Sequence, residues 1–219
     1  MSNDEIIKIT EEFVKENLKG YDSGHDWWHI ERVRGLAKHI SEMESFEDSF
    51  IVELTSLLHD SADSKFAGEN IEESYFRIEE FLENIGLDSI KKRVMEVIRN
   101  ISFSKKNLTG DLSDPLLHVI QDADRLDAIG AIGVARAFNY GGFRNSPIWF
   151  PDDSNGKSTV GHFYEKLLLL KGKMNTATGR RLAEERHDYL EKFLEQFYRE
   201  WEFAIIRKDA RLTAQDTRG

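Results

Sequence analysis

A chain of 219 residues, 40% of them hydrophobic, is long enough to bury one good core or two small ones, and its formal net charge of −10 repels nucleic acid in bulk. Its lack of cysteine removes disulfides, thiolate zinc sites and cysteine nucleophiles together, which leaves imidazole and carboxylate as the strong metal ligands. No apolar run approaches the length needed to span a bilayer and MSNDEIIKIT lacks a basic-then-apolar signal pattern, so the expectation is one cytoplasmic domain with no membrane partner.

Helical periodicity recurs throughout and period-two alternation is absent, so the fold class expected is all-α, a single helical bundle over residues 1–209 with a flexible tail at 210–219. Residues 4–18 set Ile6, Ile9, Phe13 and Leu18 among charges, an amphipathic helix for the outside of the core. After a turn at 20–24, a helix beginning near Asp26 and running to about Glu44 carries His29, Val33, Leu36 and Ile40 on one stripe, so His29 points inward. Asp26 is the natural N-cap of that helix, and Trp27 and Trp28 read as core and rim rather than as a base-stacking platform. A helix over 50–59 ends in the pair His59-Asp60, with Ile51, Leu54, Leu57 and Leu58 facing the core behind it. The loop that follows, 61–69, is placed over these polar groups.

Two charged helices, 72–84 and 89–101, are separated at Gly86, and a polar loop over 102–114 leads to Pro115 at a helix start. The next helix puts Leu117, Ile120, Asp124, Ala128 and Ala131 on one stripe. Asp122 and Arg125 lie off it and so need no partner for a buried charge, while Asp127 is one turn on and able to join the same face. A short helix over 131–139 precedes the least regular stretch, 141–157, read as a substrate lid or a dimer contact because a loop of this length in a compact domain is usually functional. Residues 159–172 read as helical, and the final helix, 178 to about 208, lines up Leu190, Phe193, Leu194, Phe197 and Trp201.

Taken singly, His29 reads as a core histidine, His59-Asp60 as a helix cap, and Asp124 as a buried partner of Arg32 or Arg34. Jointly, two imidazoles and two carboxylates at the ends of apolar segments point to a metal site. His29, His59-Asp60 and Asp124 resemble the H…HD…D ligand set of the HD-domain superfamily of metal-dependent phosphohydrolases. GHDWWHIERV, LLHDSADSKF, QDADRLDAIGAIGVARAFNYGG and HFYEKLLLLKGKMNTATGRRLAEERH together resemble the YpgQ-like branch of bacterial HD hydrolases, whose known chemistry is nucleoside triphosphate pyrophosphohydrolysis. The likeness runs from about Gly24 to about Trp201. It implies an all-α HD domain, with a ligand-bearing core at about 24–140 and C-terminal helices at about 158–209.

The activity so implied cleaves a nucleoside or deoxynucleoside triphosphate to the monophosphate and pyrophosphate, by attack of metal-bound water. One divalent ion is expected on His29, His59, Asp60 and Asp124, with Mn²⁺ favoured and Mg²⁺, Co²⁺, Ni²⁺, Fe²⁺ or Zn²⁺ also admitted by the ligand types. Dinuclear relatives use extra histidines before the last aspartate. Here only His118 lies in that interval, about 600° around a helix from Asp124 and so off the ligand face. Asp63, four residues after His59, is assigned to orient the attacking water or shuttle its proton, a role similar to that of the acidic residue at this position in related enzymes. Lys65 and Arg125, and more distantly Arg144 and Lys166, are candidates for phosphate charge, with His162 for the substrate pocket. His25, Asp26 and Asp127 are placed behind the ligands, and His39 and His187 are structural. The partner expected is a small phosphorylated molecule, not a nucleic acid duplex, with homodimer formation open. A nucleoside monophosphate phosphatase and a non-catalytic nucleotide or metal sensor of the same fold are the alternatives.

Overall fold

The computed structural model describes residues 1–18, 26–62, 71–101, 111–151, 153 and 156–216, with side chains as far as Glu202. Among them are nine α-helices and no strand. Helix α1 spans Asn3–Asn17, and its start is fixed by a reciprocal cap in which the Ser2 hydroxyl accepts from the Glu5 N–H and Glu5 accepts from the Ser2 N–H. Helix α2, Trp27–Met43, begins where the Asp26 carboxylate accepts the His29 N–H at 2.8 Å. Helix α3, Ser49–Leu58, is capped in the same way by Asp48. Helices α4, Ile71–Asn84, and α5, Asp88–Asn100, are joined across Gly86, whose φ of 77° suits glycine.

Helix α6, Pro115–Asp127, has proline at its first position behind an Asp114 cap, where a missing N–H costs nothing. It touches α2, α3, α5, α7 and α9 and is buried nearly all round. Leu54, Leu57 and Leu58 of α3 and Leu116, Ile120 and Leu126 of α6 are wholly enclosed, each contributing about 1.5–3 kcal/mol of burial. The core therefore sits between α2, α3 and α6, which between them carry His29, His59 and Asp124.

Several elements differ from the pattern expected of the sequence. Helix α1 buries Ile6, Ile7, Thr10 and Val14, one position round from the expected stripe, and Phe13 instead stacks on Phe81 of α4 at 4.0 Å. Helix α7 runs over Gly130–Phe143, past the expected end at 139, because Gly141 lets it approach the next helix closely. A Cβ there would lie 2.0 Å from Thr159 Oγ1. Helix α8 is only Thr159–Glu165; the chain then turns at Lys166 into two 3₁₀ turns, Leu167–Leu169 and Lys171–Lys173. Helix α9 spans Ala177–Asp216, beyond the expected end near Lys208, since residues 180–216 hold neither glycine nor proline to stop it. The segment expected as a lid or dimer contact seats Trp149 edge-on against Tyr198 and Trp201 of α9, at 5.4 and 5.0 Å. The expected turn at 20–24, most of the 61–69 loop and the loop at 102–110 lie outside the described residues.

Candidate metal centre

His29 and His59 arrive from different helices and are oriented by different acceptors. His59 occupies the end of α3, where its Nδ1–H donates to the Ser56 carbonyl oxygen at 2.7 Å. A carbonyl only accepts, so this bond places the ring proton on Nδ1 and leaves the Nε2 lone pair pointing forward. That Nε2 is buried and has no hydrogen-bond partner among the described residues. His29, fully buried in the first turn of α2, has its Nδ1 2.8 Å from Asp127 Oδ2. Burial drives the Asp127 carboxyl upward, but hydrogen bonds from His29 and Arg32 outweigh it and hold the group well below the usual carboxylate range. Asp127 is thus an ionised acceptor, and His29 also presents Nε2 forward. Burial, opposed by Asp127, depresses the His29 pKa and keeps the ring neutral.

In front of the imidazoles stand two carboxylates. His29 Nε2 is 3.6 Å from Asp124 Oδ1 and 3.8 Å from Asp60 Oδ2. One ligand atom from each of His29, His59 and Asp124 lies within 4.8 Å of the others, and the two rings meet edge to face at 5.2 Å. Two neutral nitrogens and two carboxylates, with a buried bare Nε2 among them, form a donor set suited to a mid-row divalent cation. The residues present fit such an ion.

Three expectations are corrected here. Asp124 does not sit in the middle of a buried stripe: its side chain is 36% exposed, and Ala128 and Ala131 beyond it open progressively to solvent, so it forms the rim of the centre. Neither arginine offered as its partner reaches it. Arg32 donates through Nε and Nη2 to Asp127 at 2.6 and 3.0 Å, and Arg34 serves Glu11, Glu31 and Glu53. Asp122 and Arg125, expected off the buried stripe, are buried, because α6 is packed on almost every side. The Asp122 carboxylate accepts the backbone N–H groups of Asn175 and Thr176, each at 2.8 Å, and the Thr176 hydroxyl at 2.8 Å, so that α6 caps the start of α9. Arg125 donates to the Lys173 carbonyl and lies 3.5 Å from Asp122.

Of the other candidates, Asp26 caps α2, and Asp127 orients His29. Arg144 and Lys166 are exposed at the ends of α7 and α8, and His162 is half-buried on α8. His118 turns its Nε2 to the Leu112 carbonyl at the start of α6, away from the ligands. His25, Asp63 and Lys65 lie outside the described residues. Sequence reasoning did not single out Arg136, which donates to Asp127 at 2.7 Å, or Arg186, which donates to the Leu126 carbonyl and packs on Gly130. Both sit in the quoted blocks IGVARAF and AEERH, but the acceptor of Arg136 lies across the break between α6 and α7 and that of Arg186 is 60 positions away, so helical spacing gives no signal for either.

Comparison with known proteins bears on this arrangement. The family model described as HD domain matches residues 27–129, a stretch that contains His29, His59, Asp60 and Asp124. YpgQ of Bacillus subtilis is 39% identical over 191 residues, covering 84% of this chain and 88% of YpgQ. The crystal structure of that protein in complex with ADP superposes with a TM-score of 0.75 at 37% identity, covering 89% of this chain and 97% of its own. An HD-superfamily hydrolase from Bacillus thuringiensis gives a TM-score of 0.76 at 40% identity, covering 92% and 99%. No helix among the described residues is long and apolar enough to cross a membrane. With its two imidazoles and two carboxylates on α2, α3 and α6 and these relatives matched along most of its length, this chain belongs to the HD-domain superfamily, in the branch that holds YpgQ.

Proposed function

We propose that the protein is a metal-dependent phosphohydrolase acting on nucleotides, converting a nucleoside or deoxynucleoside triphosphate to the monophosphate and pyrophosphate. The observation that carries this reading is the convergence of one ligand atom each from His29, His59 and Asp124 within 4.8 Å, with Asp60 beside them. The ADP bound by YpgQ, and the hydrolase relative from Bacillus thuringiensis, support the choice of a nucleotide substrate. His29, His59, Asp60 and Asp124 would hold one divalent ion, Mn²⁺ by preference of the ligand types. When bound, such an ion lowers the pKa of a coordinated water and polarises a phosphoryl oxygen.

The chain's own residues supply the rest. Asp127 and the Ser56 carbonyl hold both imidazoles in the tautomer that presents Nε2, so neither ring has to reorganise. Asp124, at the rim, leaves the centre open on the side from which a phosphate enters. Asp63, assigned on sequence position, takes the proton of the attacking water. Water adds to the α-phosphorus, the bond to the bridging oxygen breaks, and pyrophosphate leaves with that oxygen.

The test is incubation with Mn²⁺ and a panel of nucleoside tri-, di- and monophosphates, the products resolved by ion-exchange chromatography beside Asp60→Ala. Pyrophosphate plus monophosphate, absent from the variant, supports the proposal. Orthophosphate from monophosphates moves the chemistry to the outer ester, and no product at all with metal bound leaves a binding module.

A further inference from the structure

Trp28 is 66% exposed, although it directly precedes a fully buried ligand, His29. Its neighbour Trp27 is half-buried beneath Lys15, whose ammonium lies 4.0 Å from the ring centroid; Trp28 has no ring or cation partner among the described residues. An indole left in water forfeits a large apolar burial, and tryptophan in that position is characteristic of surfaces completed by a ligand.

The orientation of α2 says which surface. At about 100° per residue, Arg32 lies about 60° to one side of His29 and Arg34 about 140° to the other. Arg32 reaches Asp127 on α6, whereas Arg34 reaches Glu11 on α1 and Glu53 on α3. Trp28 is about 100° from His29 on the Arg32 side, and so belongs to the flank of α2 that faces α6. Arg93 pairs with Asp114 at the start of α6 and also lies over Phe46, just past the end of α2. The two helices therefore run antiparallel, and Trp28, at the start of α2, stands beside the end of α6. That end carries the half-exposed rim ligand Asp124 and continues into the exposed Ala131 and Ile132.

We infer that the indole of Trp28 is the platform on which the base of the bound nucleotide stacks, an inference that rests on the nucleotide reading above. Every base has a π-face, so this contact sets affinity for a nucleoside over a bare phosphate without selecting among bases.

The experiment is calorimetric titration of the Mn²⁺-loaded protein with ADP and, separately, with inorganic pyrophosphate, in wild type, Trp28→Ala and Trp28→Phe. The expected result is ADP binding about tenfold weaker in Trp28→Ala, recovered in large part by Trp28→Phe, with pyrophosphate binding equal in all three. Equal ADP affinity in wild type and Trp28→Ala overturns the inference, as does an equal loss for ADP and pyrophosphate, which marks a structural effect. Failure of the wild type to bind ADP, with metal bound, removes the nucleotide reading itself.

Discussion

One oxygen of Asp127 lies 2.8 Å from His29 Nδ1 while the other receives Arg32 Nε at 2.6 Å, so a single buried carboxylate links the metal-facing imidazole to a guanidinium of the same helix. Arg136 adds a third donor from α7. The tautomer of His29, its rotation and the relative positions of α2, α6 and α7 are thereby set by one side chain.

Asp127→Asn removes the anion from between two guanidiniums and an imidazole. Loss of a carboxylate behind a ligand histidine typically costs about 10–100-fold in metal affinity, and removing one partner of a buried pair costs on the order of 3–5 kcal/mol of stability. Manganese titration and urea unfolding measure the two effects; unchanged metal affinity would show that His29 does not depend on Asp127.

Asp114 caps the ligand helix α6 and accepts Arg93 Nε and Nη2 at 2.8 and 2.7 Å, and Arg93 holds its carboxyl below the ordinary range. A depressed folded pKa means stability that is present above the unfolded carboxylate value, about 3.9, and is lost as pH falls through the folded value. Asp114→Ala should cost about 1–2 kcal/mol at pH 7. Unfolding curves of the two proteins should converge as the pH drops below about 4, and a gap that persisted there would argue for lost packing instead.

Gly179→Ala pits helix propensity against space. Alanine gains about 1 kcal/mol in a helix, but its Cβ would lie 2.2 Å from Asp122 Oδ2 and 2.8 Å from Thr176 Oγ1. Asp122 is fixed by the N–H groups it caps and has little freedom to withdraw. The clash should win, with a net destabilisation of about 1–3 kcal/mol; a raised melting temperature would mean that the cap of α9 is soft.

Metal removal should lower the melting temperature. An ion at 100 times its dissociation constant adds about 2.7 kcal/mol to the folded state. His59→Ala should abolish that difference between chelated and Mn²⁺-loaded samples, since it deletes the bare Nε2. An undiminished shift in the variant would place the ion elsewhere.

The candidate metal-binding residues were legible because each stands in a short block with its own local context: His59-Asp60 at the end of an apolar helix, His29 on an apolar stripe. The electrostatics around it was not. Spacing on a helical wheel identifies a stripe but not which part of it faces the core, and α6 is packed on so many sides that Asp124 became the exposed rim while Asp122 and Asp127 were enclosed. Their stabilising partners, Asn175 and Thr176 in one case and Arg32 in the other, are 53 and 95 or more positions away. Only the folded chain brings such groups together. The end of α9 was misplaced for a different reason: a helical run without glycine or proline carries no local stop signal.

Turnover of ATP with Mn²⁺ in ¹⁸O-labelled water, read by mass spectrometry, tests the central claim most directly. The account predicts one ¹⁸O in AMP and none in pyrophosphate, with neither product formed by Asp124→Ala. Label in pyrophosphate, or orthophosphate as the released product, would contradict it.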